Sequence, residues 1–96
     1  NDYLTLKLAK EQDLWFHVKN QPGSHVILFT EGQPVSEQDL LEAASLAAYY
    51  SKARSSSKTE VDYTLRKYVQ KPNGAKPGYV IYTNQKTLLV QPQKPN

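Results

Sequence analysis

The feature that most limits the possible folds is a stripe of small residues between Ser36 and Arg54. Apolar side chains recur there at the three- and four-residue spacing of one helix face, at Leu40, Ala43, Ala44, Ala47 and Ala48. Ser36 is a favoured N-cap residue, and Asp39 stands where a weak capping box has its acid. Because alanines let a helix lie close to its neighbour, the stripe predicts a long helix packed on a sheet.

The first strands of that sheet are predicted around a Pro-Gly turn. Leu14 to Val18 alternate between apolar and polar residues, with Leu14, Phe16 and Val18 on the inner face. Ser24 to Thr30 are apolar on both faces, which favours a strand in the centre of the sheet.

Three more strands are predicted after the helix. Alternation returns from Glu60 to Val69, with Val61, Tyr63 and Leu65 inward and Asp62 and Thr64 outward. Residues 79–83 and 86–91 then predict a hairpin about Asn84-Gln85.

Together the segments predict one α+β domain over residues 1–90, followed by a flexible tail over residues 91–96. A first short helix, from Asp2 to about Lys10, completes the order α-β-β-α-β-β-β. We expect a mainly antiparallel sheet with the one long helix on one of its faces. The chain has no cysteine, so it has neither a disulfide framework nor a thiolate zinc site.

The chain's two histidines are predicted to be neighbours. Folding the first two strands about Gln21 places His17 opposite His25, with Cβ atoms about 4.5–5.5 Å apart. Two imidazoles could share a zinc ion, but a catalytic zinc needs a third protein ligand, for which Asp13 is the nearest candidate. We therefore expect no metal and no cofactor.

No arrangement of residues has the signature of an active site. Ser24 and His25 are adjacent in sequence, but neighbours on a strand point to opposite faces and cannot form a nucleophile–base pair. We expect no catalytic residue and no enzymatic activity.

Charge is unevenly distributed between the two halves of the chain. Residues 1–51 contain three basic and seven acidic residues, a net charge of −4, whereas residues 52–96 contain nine basic and two acidic residues, a net charge of +7. A basic half of this kind is typical of a surface that attracts a polyanion, although basic loops can also serve solubility alone.

The outer face of the first predicted strand carries aromatic and basic groups. Rings stack on unpaired bases and lysines meet phosphates, so these residues and the basic half together predict an RNA-binding surface: Trp15, His17, Lys19, His25, Arg66, Lys67, Lys71 and Lys76. Trp15 taken alone could equally be a packing residue.

Several stretches resemble the NFACT-R domain, the carboxyl-terminal RNA-binding module of the bacterial fibronectin-binding protein A family. An aspartate-x-tryptophan-x-histidine pattern falls on Asp13, Trp15 and His17, and a Pro-Gly-Ser-His pattern falls on residues 22–25. The resemblance covers nearly the whole chain, in "NDYLTLKLA", "DLWFHVKNQPGSHVIL", "LLEAASLAAYYSKARSSSKTEVDYTLRKYV" and "KPNGAKPGYVIYTNQKTLLV".

The resemblance implies a function in ribosome-associated quality control. Members of this family are cytoplasmic proteins that bind the large ribosomal subunit and tRNA and support alanine tailing of stalled nascent chains. It therefore implies RNA, either tRNA or rRNA, as the partner of one domain of a longer protein. No apolar run approaches the roughly 18 residues of a spanning helix, so we expect no membrane association, and we expect the isolated domain to be monomeric. The family name also implies an alternative, a fibronectin-binding adhesion module of a Gram-positive surface protein.

Overall fold

The computed structural model of the chain describes residues 7–19, 25–51, 54–74 and 79–94. In chain order the elements are strand β1 (Leu14–Val18), strand β2 (Val26–Leu28), helix α1 (Glu37–Tyr49), strand β3 (Thr59–Leu65), a 3₁₀ helix (Arg66–Tyr68), and strands β4 (Val69–Gln70), β5 (Ile81–Tyr82) and β6 (Lys86–Val90). Lys7 and Leu8 are also helical; the first five residues of the predicted short helix, residues 2–6, and the Pro-Gly turn lie outside the described residues.

Four strands form one antiparallel sheet in the order β2-β1-β3-β6, and β4 and β5 pair as a second, two-stranded sheet. The α+β class and the antiparallel pairing are therefore confirmed. No helix in the described ranges is long and apolar enough to span a membrane.

Helix α1 packs on the four-stranded sheet through the predicted small residues. Ala43, Ala44, Ala47 and Ala48 are buried in one core with residues of β1, β3 and β6. The backbone N–H of Asp39 donates to Oγ of Ser36 at 3.0 Å, which confirms the N-cap.

The helix ends at Tyr49, not at Arg54 as predicted. Oγ of Ser51 donates to the carbonyl of Ala48 at 2.7 Å, and Nε of Arg54 donates to the carbonyl of Tyr49 at 3.1 Å. These side chains satisfy carbonyls that the next helical turn would otherwise use, so the chain leaves the helix there.

Strand β2 lies at an edge of the sheet, so the prediction of a central strand was wrong. Val26 and Leu28 pack against the α1 core, whereas Ile27 packs against Trp15 on the other side of the sheet. Both faces of β2 are thus covered although only one edge is paired. Apolar residues on both faces of β2 therefore indicate that both faces are covered, which can happen at the edge of a sheet as well as in its centre.

The predicted hairpin of the last two strands was also wrong. Asn84 does adopt a left-handed turn conformation, with φ of 57°, but β5 pairs with β4 while β6 pairs with β3. Oγ1 of Thr64 donates to the carbonyl of Thr83 at 2.8 Å, which holds the crossing between the two sheets. The local sequence predicted the turn at Asn84, but it could not predict which strands β5 and β6 pair with.

The predicted strand from Glu60 to Val69 is divided. It ends at Leu65, turns through the 3₁₀ helix and resumes as β4 in the other sheet. Consequently Asp62 and Thr64, which were predicted to face outward, are buried under the second sheet. In the predicted tail, the backbone N–H of Gln93 reaches the carbonyl of Ser45 at 3.5 Å; the flexibility of that tail stays a prediction.

Enlarging an alanine under α1 should destabilise the fold. Ala44 and Ala47 are fully buried, so Ala44→Leu or Ala47→Leu should lower the free energy of unfolding by about 1–3 kcal/mol through overpacking. Urea unfolding followed by circular dichroism is the measurement. Gln38→Leu, on the exposed side of α1, is the control and should change stability by less than about 0.5 kcal/mol. Equal stability of all three variants would contradict this packing.

Candidate nucleic-acid interface

Trp15 is buried, so its predicted position on an exposed face was wrong. The alternation placed it correctly on the side of β1 opposite Phe16, but that side is covered by the β4–β5 sheet. Its indole has no exposed surface and packs in a second core with Val69, Ile27, Val80 and Tyr82. In this structure no incoming base can stack on Trp15.

The rings of His17 and His25 both pack against the Trp15 indole. The His17 ring is parallel to the Trp15 ring at 5.5 Å and 3°, and the His25 ring is tilted against it at 5.9 Å and 53°. Leu14 pairs with Leu28 and Phe16 with Val26, which is the predicted register and, continued by one residue, sets His25 opposite His17. His25 is buried and His17 is half-buried, so this cluster is first of all a packing feature.

Asp13, the nearest candidate for a third zinc ligand, is engaged in the fold. Its Oδ2 accepts the backbone N–H of Lys10 at 2.8 Å, and its Oδ1 accepts that of Thr30 at 3.0 Å. Its own carbonyl accepts the backbone N–H of Arg66 at 2.7 Å. Asp13 therefore ties the chain before β1 to the ends of β2 and β3. Within the described ranges, no three acidic or histidine side chains are grouped to hold a metal, and the absence of a metal stays a prediction.

Sequence reasoning did not single out Asp62, which is a buried carboxylate. It lies directly opposite His17 in the β1–β3 pairing, and its two oxygens accept the hydroxyls of Tyr82 and Thr87, each at 2.7 Å. Burial, followed by the hydrogen bond to Asp62 and the charge of that carboxylate, raises the pKa of Tyr82 above its ordinary value. Tyr82 therefore stays protonated as the donor that holds the second sheet on the first.

The predicted basic residues differ in how they are held. Lys67 and Lys71 are exposed, whereas Lys19 is half-buried. Arg66 is half-buried and its Nη1 donates to the carbonyl of Val69 at 2.8 Å, which braces the turn into β4. Lys76 lies outside the described residues.

A basic, aromatic surface does occur, but around the 3₁₀ helix and not around Trp15. Nζ of Lys67 lies 5.2 Å from the centre of the Tyr68 ring. Tyr68 in turn lines a cavity together with Lys86, the first residue of β6. We call Arg66, Lys67, Tyr68, Lys71 and Lys86 the basic patch. Lys86 was missed because its place beside Tyr68 depends on the β3–β6 pairing.

Residues 1–84 match the family model described as the NFACT protein RNA binding domain. The chain belongs to this family. It is 51% identical over 92 residues to each of two proteins named Rqc2 homolog RqcH, from Bacillus subtilis (strain 168) and from Streptococcus suis (strain 05ZYH33). Those alignments cover 96% of this chain but 16% of each relative, so this chain spans about a sixth of the length of those relatives.

A solved structure has the same fold. The C-terminal part of the fibronectin/fibrinogen-binding protein from Streptococcus suis superposes with a TM-score of 0.88 at 49% sequence identity. The match covers 98% of this chain and 37% of that one.

Removing the Trp15 side chain should destabilise the fold. Trp15→Ala should lower the free energy of unfolding by about 3–5 kcal/mol, because it leaves a cavity between the two sheets, and Trp15→Phe should cost less. Urea unfolding is the measurement, with Tyr79→Ala as the control because the Tyr79 side chain is 56% exposed. A folded Trp15→Ala variant of unchanged stability would show that the indole is not a core residue.

Tyr82→Phe should change how stability depends on alkaline pH. A raised pKa in the folded state contributes stability that is complete below the unfolded pKa of about 10 and is lost as pH rises toward the folded value. The stability difference between wild type and Tyr82→Phe should therefore narrow above about pH 10. Urea unfolding at a series of pH values measures it, and Tyr79→Phe should run parallel to wild type. A difference independent of pH would contradict the raised pKa that burial and the hydrogen bond to Asp62 give Tyr82.

Proposed function

We propose that this chain is the RNA-binding module of a ribosome-associated quality-control factor and that it contacts RNA through the basic patch. The proposal is carried by the exposed Lys67 and Lys86, both close to Tyr68, with the exposed Lys71 just after β4, in a chain that belongs to an RNA-binding family.

The finer part of the proposal concerns the whole protein. The relatives named Rqc2 homolog RqcH support a cytoplasmic role in which the full-length protein binds the large ribosomal subunit and tRNA. Alanine tailing of stalled nascent chains would then need the remainder of the protein, and this chain would contribute RNA contacts and no catalytic group.

The mechanism proposed for the contact is mainly electrostatic. Exposed ammonium groups that meet phosphates release the counterions condensed on the RNA, and this favours binding most at low salt. Because Trp15 and His25 are buried, they are more useful for holding the two sheets together than for touching RNA. His17 and Lys19, both half-buried, remain proposed contacts at the margin of the indole cluster.

A salt series on two double variants tests the basic patch. Lys67→Ala with Lys71→Ala should weaken binding to labelled tRNA and flatten the plot of log K against log salt by about 0.7–0.9 per lost contact. The control, Lys58→Ala with Lys94→Ala, removes the same charge. Lys58 precedes β3 and so lies about 20 Å from the end at which the patch begins.

The outcome depends on the comparison of the two pairs. A flattened slope for the patch pair alone supports the proposal. Equal losses for both pairs would mean that only net charge matters, and wild-type binding by the patch pair would place the RNA contact elsewhere on the domain.

The alternative function is a protein-adhesion module, which the name of the Streptococcus suis neighbour favours. Titrating the same chain with immobilised fibronectin separates the two. We expect saturable binding to tRNA and none to fibronectin; saturable fibronectin binding that persists in the Lys67→Ala, Lys71→Ala variant would support adhesion.

A further inference from the structure

A cavity opens beside the basic patch, on the side of the sheet that carries α1. Its volume is about 250 Å³, and its walls are Leu14, Tyr63, Thr64, Leu65, Tyr68, Asn84 and Lys86. Leu14 pairs with Leu65 across β1 and β3, and Tyr63 pairs with Lys86 across β3 and β6. The cavity is therefore built on paired strands, on the opposite sheet face from the Trp15 cluster.

The walls of the cavity are positioned by contacts within the fold. The Tyr63 ring stacks on Phe16 at 5.5 Å and 19°, which fixes it from the core side. The carbonyl of Tyr68 accepts the backbone N–H of Thr83 at 3.2 Å, so the 3₁₀ helix is attached to the segment that leads to Asn84. Asn84 stands at the rim in a left-handed conformation.

The chemistry of these walls suits a nucleotide. Two tyrosine rings and two leucines form an apolar slot, the Asn84 amide can both donate and accept at a base edge, and the Lys86 ammonium adds a positive charge. Lys67 does not line the cavity, but its Nζ lies 5.2 Å from the centre of the Tyr68 ring and so places a second positive charge near the cavity. The volume is below the range of about 300–1,000 Å³ for drug-sized ligands, which favours a single base over a larger group.

We propose that this cavity binds one unpaired nucleotide of the RNA, with the base against Tyr68 and its phosphates at Lys86 and Lys67. The proposal rests on the proposed RNA-binding function and adds the class of RNA to it. A base can enter only when it is unstacked from its neighbours, so the site selects unpaired nucleotides beside a structured region. Tyr68 thereby supplies the stacking surface that the sequence had suggested for Trp15.

Two RNAs and two variants of one residue test the site. The RNAs are a blunt duplex and the same duplex with a short single-stranded overhang. Tyr68→Leu should lower affinity for the overhang RNA by about five- to a hundredfold, the range for loss of one stacked base, and should lower affinity for the duplex by a clearly smaller factor, because the lysines carry the duplex contact. Tyr68→Phe keeps the ring and should bind both RNAs as wild type does. Tyr79→Leu changes an exposed tyrosine elsewhere and serves as the matched control.

A second measurement does not need a stable variant. Adding adenosine monophosphate to the wild-type chain should shift the backbone amide resonances of Leu65, Asn84 and Lys86, whereas inorganic phosphate alone should leave the Leu65 resonance in place.

The outcomes separate the two proposals. If wild type binds neither RNA, the proposed function fails and the cavity proposal fails with it. If wild type binds both RNAs but Tyr68→Leu loses nothing, or loses equally on both, RNA binding stands and the cavity proposal is overturned. Should Tyr68→Leu fail to fold, the nucleotide titration decides, and unchanged resonances at millimolar nucleotide overturn the proposal.

Discussion

The burial of the Trp15 indole between two sheets is the constraint on which the rest of the structure depends. Strand β1 contributes to two cores: Phe16 and Val18 face α1, whereas Trp15 faces the β4–β5 sheet. A helix on a single sheet would leave one face of β1 in water, with the indole exposed on it. Covering that face requires the chain to leave β3 after Leu65, form β4 and return as β5.

Two buried carboxylates hold this arrangement in register. Asp13 joins the start of β1 to the ends of β2 and β3 through three hydrogen bonds, two to its carboxylate and one to its carbonyl. Asp62 accepts one hydroxyl from β5 and one from β6, and so connects the two sheets. A buried carboxylate that loses its hydrogen-bond donors costs free energy. A shift of the strands would separate Asp13 or Asp62 from its donors, so each carboxylate favours one relative position of the strands.

The sequence contained the local structure and the pairing of the first two strands, but not the second layer. Alternation placed β1, and the position of the turn implied the register that the Leu14–Leu28 pair has. Alternation, however, reports only that two faces differ, and it cannot tell a face in water from one covered by another sheet. For that reason Trp15, Asp62 and Thr64 were predicted to be exposed, and the division of one predicted strand between two sheets was not visible.

The β4–β5 sheet also explains why the candidate RNA-binding surface lies at the 3₁₀ helix and not at Trp15, where it was predicted. Covering the Trp15 face removes the largest ring from the surface, but the turn that makes this possible, Arg66–Tyr68, carries two cations and a tyrosine to the end of β3. Lys86 reaches the same end of the sheet because β6 pairs with β3 over Thr59–Tyr63, which sets Lys86 opposite Tyr63. Aromatic and basic groups thus remain together, as the composition of the basic half suggested, but they meet through strand pairing and not through position along one strand. A surface of this origin depends on both sheets being in place, so a substitution in the Trp15 core would weaken RNA binding only indirectly, by loosening the 3₁₀ helix that presents Lys67 and Tyr68.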